Sequence, residues 1–378
     1  MVKRHLVRFQ LGPAGYGWEL PESRVKFEEV PRTAFLIWPL QSMAWASFNK
    51  QFSICGERKL VLLGIEIGGT KLQLGLSPGG GEPMVRLERI AVPPGANAEW
   101  IRNAILPVVQ EMVRDNSVRA VGVGFGGPID PTSGSVVRSH QVSGWDGFPL
   151  RQWLEDSLGL PVAVGNDADC AGLAEALFGA GRGFRFVFYT NVGSGIGGAI
   201  IINGQIYSGS KGIAGEIGHL RPDLSDDKEE DVEARASGWA IANRVRRELL
   251  NPGTLNPETA DLLRACGGKI EELSTEILAK AAREGSRLAQ QAFEQAAWVY
   301  GWAIAQAVTL LAPEVVVVGG GVAQAGEEIW FRPLRASVDR YVFPPLRGTF
   351  RIVPAALGQE VVVHGAIALA QQQILQQG

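Results

Sequence analysis

Cysteine is scarce in this chain. Three are present in 378 residues, Cys55, Cys170 and Cys266, an odd number without metal-ligand spacing. That argues against a disulfide framework and fits a reducing cytosol. Basic charge has no surplus either. Lys+Arg 36 stand against Asp+Glu 39, for a net charge of -3, so a general nucleic-acid binder with a basic face is not indicated. Long apolar runs are also missing. The nearest, Thr33 to Phe48, is short and broken by Pro39, Gln41 and Ser42, so no transmembrane helix is expected. It also begins too late for a conventional signal peptide. The expectation is a cytoplasmic protein with no membrane and no nucleic-acid partner.

Glycine, by contrast, is placed with purpose. Two stretches share one shape: LGIEIGGTKLQLGL from Leu63 to Leu76, and YTNVGSGIGGAIIING from Tyr189 to Gly204. In each, an apolar run enters a glycine turn and leaves as a second apolar run, so the turn joins two strands. Successive N–H groups of such a turn form an anion-binding concavity, and glycine lets backbone and ligand approach closely. Two ordinary hairpin turns would read the same way. The second stretch contains GxGxxG as Gly193, Gly195 and Gly198. A dinucleotide fingerprint must open a helix, and this one opens a strand, which argues against that use.

Hydrophobic periodicity predicts strands at Leu60–Ile67, Leu72–Leu76, Val85–Val92, Val118–Phe125 and Pro161–Val164, with helices at Ala98–Arg114 and Ala168–Phe178. The pattern then starts over. Strands are predicted at Phe184–Asn191, Gly198–Ile202, Glu314–Val318 and Phe350–Pro354. Helices are predicted at Ser237–Leu250, through Glu271–Ala312 with a break near Gly285, at Gly326–Tyr341 and at Glu360–Gln376. A strand–turn–strand opening followed by mixed α/β thus occurs twice, and two related α/β lobes with a cleft between them are expected. The boundaries are 1–59 for a loosely packed N-terminal extension and 60–168 for a small lobe completed by a C-terminal helix, 360–376. A large lobe covers 169–359. The acidic run Asp226–Asp231 reads as a solvated loop.

Several groups carry candidate chemistry. Gly68, Gly69, Thr70 and Lys71 form the first turn, with Glu66 ahead of it. Gly193, Ser194 and Gly195 form the second. Gly319, Gly320 and Gly321 follow an apolar strand and either pack on a nucleotide or permit a tight turn. Asn166–Asp167 stands between a strand and a helix, so Asp167 is either an N-cap or a general base. Glu216 and His219, three apart, either bind sugar hydroxyls or pair with each other. Trp145, in SGWDG, either lines a sugar site or anchors packing.

IGGTK, GWDGFPL, NDAD, GSGIGG, AGEIGH and VVVVGGGV occur in this order from about Leu60 to the C-terminus. Together they resemble the ROK family (repressors, open reading frames and sugar kinases). The resemblance implies an actin-like ATPase (ribonuclease H-like) α/β fold, with ATP and Mg²⁺ between the glycine turns and a hexose in the cleft. It implies that Asp167 is the catalytic base and that Asn166, Glu216, His219, Glu233 and the loop containing Gly127 meet the sugar. The implied activity is phosphorylation of a hexose, glucose to glucose 6-phosphate foremost, and a homodimer is a family expectation. A sugar-responsive transcriptional regulator with little turnover is the other family option, but the residues before Leu60 do not read as a winged helix. The chain departs from the family at one place. The usual CxCGxxGC cluster after the EIGH motif is replaced by LRPDLSDDKEEDVEARASG, with Asp231 where the last cysteine would stand. A structural zinc needs four ligands, so no zinc is predicted, and no residue is assigned to a metal.

Overall fold

The computed structural model describes residues 61–139, 141–223, 231–251 and 257–377. The expected N-terminal extension and most of the acidic run lie outside them.

The first sheet contains β1 (Val61–Ile67), β2 (Lys71–Ser77), β3 (Arg86–Ala91), β4 (Val118–Phe125) and β5 (Val162–Asn166). Their spatial order is β3-β2-β1-β4-β5. β1 pairs antiparallel with β2 and parallel with β4, and β5 runs parallel to β4. The second sheet contains β6 (Phe186–Val192), β7 (Ile196–Ile202), β8 (Gln205–Ile206), β9 (Val315–Gly319) and β10 (Arg351–Pro354). Read from β8, its order is β8-β7-β6-β9-β10, with the same pattern of antiparallel and parallel pairs. The repeat seen in the sequence is therefore a repeat of topology. The central strands are mostly apolar because both faces are covered; Val315 to Val318 are fully buried.

The helices are α1 (Ala98–Asp115), α2 (Leu150–Leu158), α3 (Asp167–Phe178), α4 (Val232–Ala236), α5 (Gly238–Leu249), α6 (Pro257–Ala265), α7 (Thr275–Arg283), α8 (Arg287–Leu311), α9 (Arg332–Tyr341) and α10 (Val361–Gln377). α3 and α10 join the two sheets. α3 follows β5 of the first sheet yet packs on β6 and β7 of the second, while α10 follows β10 and packs on β1 and β4. The two helices also pack on each other. A Cβ at Gly365 would lie 1.8 Å from the Cys170 carbonyl oxygen, and one at Gly122 would lie 1.8 Å from that of Ala366. Glycine at these two sites is a packing requirement. Fully buried Glu175 adds a polar tie. Its Oε1 accepts from the N–H groups of Ala356 and Leu357, each at 2.8 Å.

The predicted break at Gly285 is real: φ is +102° there, and Ser286 caps α8. The helix expected from Gly326 begins instead as a π-helical segment, Glu327–Phe331, before α9. Helices α2, α4 and α6 were not expected. α4 spans only five residues and starts at a cap, Asp231, so it carries no usable periodicity. Among the described residues, no helix is long and apolar enough to cross a membrane.

Candidate active site

Parallel strands bring the marked residues to one end of each sheet. In the first, β1 leads to Gly68, β4 to Gly126 and Gly127, and β5 ends on Asn166 before Asp167. In the second, β6 leads into Gly193 and β9 ends on Gly319. Carboxyl ends of parallel strands are where α/β sheets place ligands.

Asp167 sits where these ends meet. The Gly126 N–H donates to the Ile67 oxygen at 2.9 Å. A Cβ on Gly126 would lie 3.5 Å from Asp167 Oδ2 and 3.8 Å from the Gly68 Cα. From the other sheet, a Cβ on Gly197 would lie 3.1 Å from the Ala168 Cβ. The α3 N-terminus is thus flanked by the first glycine turn and the start of β7.

Asn166 takes the capping role. Its Oδ1 accepts from the N–H groups of Ala168 at 2.8 Å and Asp169 at 3.3 Å, while its Nδ2 donates to the Gly127 oxygen at 3.0 Å. Asp167 Oδ1 accepts from Ala168 N–H as well, at 2.8 Å. Removal from water, with the Glu66 and Glu216 carboxylates nearby, pushes the Asp167 carboxyl up to about 6. Asp169, 8% exposed, is pushed up to about 7 by burial and by Glu216 and Asp167. Its Oδ1 has no partner among the described residues. It lines a cavity of about 430 Å³ between the edge of β5, β8 and α10.

The first turn is tied in by polar side chains. Buried Glu66 stands across from Gln73 and accepts from its Nε2. The Lys71 ammonium lies 3.3 Å from Glu66 Oε1. Gln73 Nε2 also donates to the Gln359 oxygen at 2.8 Å. The Gly69 N–H donates to Gln141 Oε1 at 3.2 Å, and Thr70 is exposed.

The second turn is braced from behind. Gly193 O accepts from the Gly238 N–H, at the start of α5, at 2.7 Å. Glu233 Oε2 accepts from the Ile196 N–H at 2.7 Å. Ser194 is exposed. Gly320, at φ +90°, lies against β6 so closely that a Cβ would be 2.2 Å from the Val192 oxygen. The third glycine cluster therefore sits beside the second turn.

Glu216 precedes the single 3₁₀ turn Ile217–His219. His219 Nδ1 lies 3.2 Å from Asp231 Oδ2. Trp145 proves to be a packing anchor, fully buried and edge-on to Phe125 at 5.2 Å between ring centroids. No group of three or more His, Cys, Asp or Glu among the described residues is placed to hold a metal ion. Asp169, Gln73 and Asp231 were not singled out as site residues. The second acid of NDAD and the cross-strand register of Gln73 were the available signals.

Residues 62–373 match the ROK family. The chain is 31% identical over 321 residues to a glucokinase of Thermotoga maritima, covering 84% of this chain and 99% of that protein. It is 26% identical to a putative xylose repressor of a Caldicellulosiruptor species, covering 83% of this chain and 79% of the repressor. Among solved structures it is similar to a ROK glucokinase from Streptomyces griseus in complex with glucose and AMPPNP. The TM-score is 0.73 at 31% identity, covering 82% of this chain and 99% of that one. Family match and fold agree, and this chain belongs to the ROK family.

Proposed function

We propose that this protein is an ATP-dependent hexose kinase that converts glucose to glucose 6-phosphate, with Asp167 as general base. One observation carries the reading: a carboxylate tuned to about 6 stands beside one glycine turn and near the strand that leaves the other. A base of that strength is ionised at neutral pH and still accepts a proton readily. The relatives named glucokinase support the choice of sugar.

In the proposed step Asp167 takes the proton of the sugar 6-hydroxyl. The oxygen bonds to the γ-phosphorus in line as the bond to the departing ADP breaks. The turn Gly68, Gly69, Thr70 and Lys71, closed by the Gly68 N–H donating to the Lys71 oxygen at 3.1 Å, cradles the transferring phosphate. The Gly69 N–H already donates to a side-chain oxygen, Gln141 Oε1. Gly193, Ser194 and Gly195 hold the phosphates from the second lobe, with Gly319 and Gly320 beside the nucleotide. Asn166, Glu216, His219, Glu233 and the Gly127 loop meet sugar hydroxyls.

Glu66 offers a hard oxygen donor of the kind Mg²⁺ takes in small number alongside phosphates. It would hold the ion, and bound there the ion would neutralise charge on the transferring group. The small lobe is residues 60–168 with helix 360–376, and the large lobe is 169–359. A homodimer, a cytoplasmic location and the lack of a nucleic-acid partner belong to the same proposal. Cys170 and Cys266, both free and buried, suit a reducing compartment. The repressor relatives keep a regulator in view, but a poised base has no task in a protein that only binds sugar.

The test is a panel of hexoses and N-acetylated hexoses with ATP and Mg²⁺, scored by coupled ADP release. Glucose should give the largest kcat/KM. A flat response across the panel would favour the regulator.

A further inference from the structure

His219 and Asp231 are joined in a way that the proposed reaction does not by itself require. Three contacts link the segment after Glu216 to α4 and its cap, each across twelve residues. His219 Nδ1 meets Asp231 Oδ2 at 3.2 Å. The Val232 N–H donates to the Leu220 oxygen at 2.9 Å. An Arg235 guanidinium N–H donates to Asp223 Oδ2 at 2.6 Å. Asp231 uses both oxygens: Oδ2 faces the imidazole, while Oδ1 accepts from the Ala234 N–H at 2.8 Å and caps α4.

Resting on the kinase reading, we propose that Asp231 is a positioning residue for sugar recognition. It holds His219 with the proton on Nδ1 and leaves Nε2 as an acceptor for a sugar hydroxyl.

Donors and acceptors decide the tautomer. An ionised carboxylate can only accept, so the imidazole nitrogen facing it must carry hydrogen. In a neutral imidazole the other nitrogen then has a bare lone pair. The His219 side chain is 62% exposed and that of Asp231 is 22% exposed. The sheltered partner is therefore the carboxylate, and the ring is the exposed one. Asp231 also fixes α4, whose Glu233 braces the start of β7 at Ile196. One capping residue thus sets both the ring and the helix behind the second glycine turn. A role confined to the helix would need only Oδ1.

Asp231→Asn separates the two roles. Asn caps a helix about as well as Asp, so α4 is retained. The atom facing His219 becomes an N–H donor, which requires a bare Nδ1 and moves the proton to Nε2. The expected result is a KM for glucose raised about tenfold or more, with KM for ATP and the thermal midpoint unchanged. In ¹⁵N spectra of the free protein, the His219 ring should switch from the Nδ1–H to the Nε2–H form. In a His219→Ala background, Asp231→Asn should add nothing further to the glucose KM. An unchanged tautomer overturns the proposal. So does a rise in both KM values together with a lower midpoint, which would mark simple support of α4. The spectra need no turnover. Wild-type protein without kinase activity would therefore count against the kinase reading, while an unchanged ring in an active kinase would count against Asp231 alone.

Discussion

The two sheets share a strand order and differ at their chemical ends. The penultimate residue of β1 is Glu66, and that of the corresponding β6 is Asn191. β5 ends on Asn166 and runs straight into Asp167, while its counterpart β10 ends on Pro354. Glu66 and Asp167 lie at the strand ends of the first sheet, whereas Glu216 and Glu233 come after β8. The second sheet contributes glycines, Gly193 to Gly195 and Gly319 to Gly321, where backbone can approach a ligand. On the proposed roles, the first sheet supplies the base and one phosphate turn and the second sheet supplies the other turn, so one scaffold carries different chemistry at its two ends.

Removing the acid from the acidic end gives the largest expected effect. Asp167→Asn should lower kcat for glucose by roughly 10²–10⁴-fold, measured as sugar-dependent ADP release. The same change should stabilise the protein at neutral pH. Folding raises this carboxyl from 3.8 to about 6, so ionising it costs the folded state. The cost is absent below pH 3.8, grows up to pH 6 and is complete above. After allowance for partial exposure it is on the order of 2 kcal/mol. The thermal midpoint of Asp167→Asn should therefore exceed that of wild type by a few degrees at pH 7.5 and match it at pH 3.5.

Next comes the joint between the lobes. Gly365→Ala places a methyl against the Cys170 carbonyl and should lower the midpoint by about 5 °C or more. An unchanged melting curve would show that α3 and α10 do not pack this closely.

Two glycines of the second lobe sharpen the division further. A Cβ on Gly193 meets nothing within 4 Å, whereas one on Gly320 meets the Val192 backbone. Gly193→Ala should fold normally and raise KM for ATP about tenfold, or about 1.4 kcal/mol. Gly320→Ala should instead impair folding. If Gly193→Ala leaves KM for ATP unchanged, the second turn does not hold phosphate.

The smallest effect is graded by pH. Because Asp167 must be ionised to act as base, kcat/KM for glucose should fall below a pH of about 6, approaching tenfold per pH unit. An acid limb near pH 4 would mean that the carboxyl is not raised by burial and by Glu66 and Glu216.

Much of this was legible in the sequence because it rests on period and punctuation. β1, β2, β6 and β9 are apolar runs bounded by glycine, and their doubling gave the two-lobe architecture. The order of the glycine, NDAD and EIGH motifs gave the family. What stayed hidden depends on contacts between distant segments. No spacing reveals that α3 crosses to the second sheet, or that Gly365 must admit the Cys170 carbonyl. Whether Asn166 or Asp167 caps α3 turned on side-chain geometry, as did the pairing of His219 with Asp231 across twelve residues. Helix α4, held by its cap, is too short to show a helical pattern.

In the proposed reaction, phosphate moves from ATP to a sugar hydroxyl at Asp167. ³¹P NMR of the wild-type protein with ATP, Mg²⁺ and glucose tests it directly. A growing phosphomonoester resonance is expected, one for each ADP formed, and it should be nearly absent with Asp167→Asn. ADP accompanied only by inorganic phosphate, or an undiminished phosphomonoester signal from the variant, would contradict it.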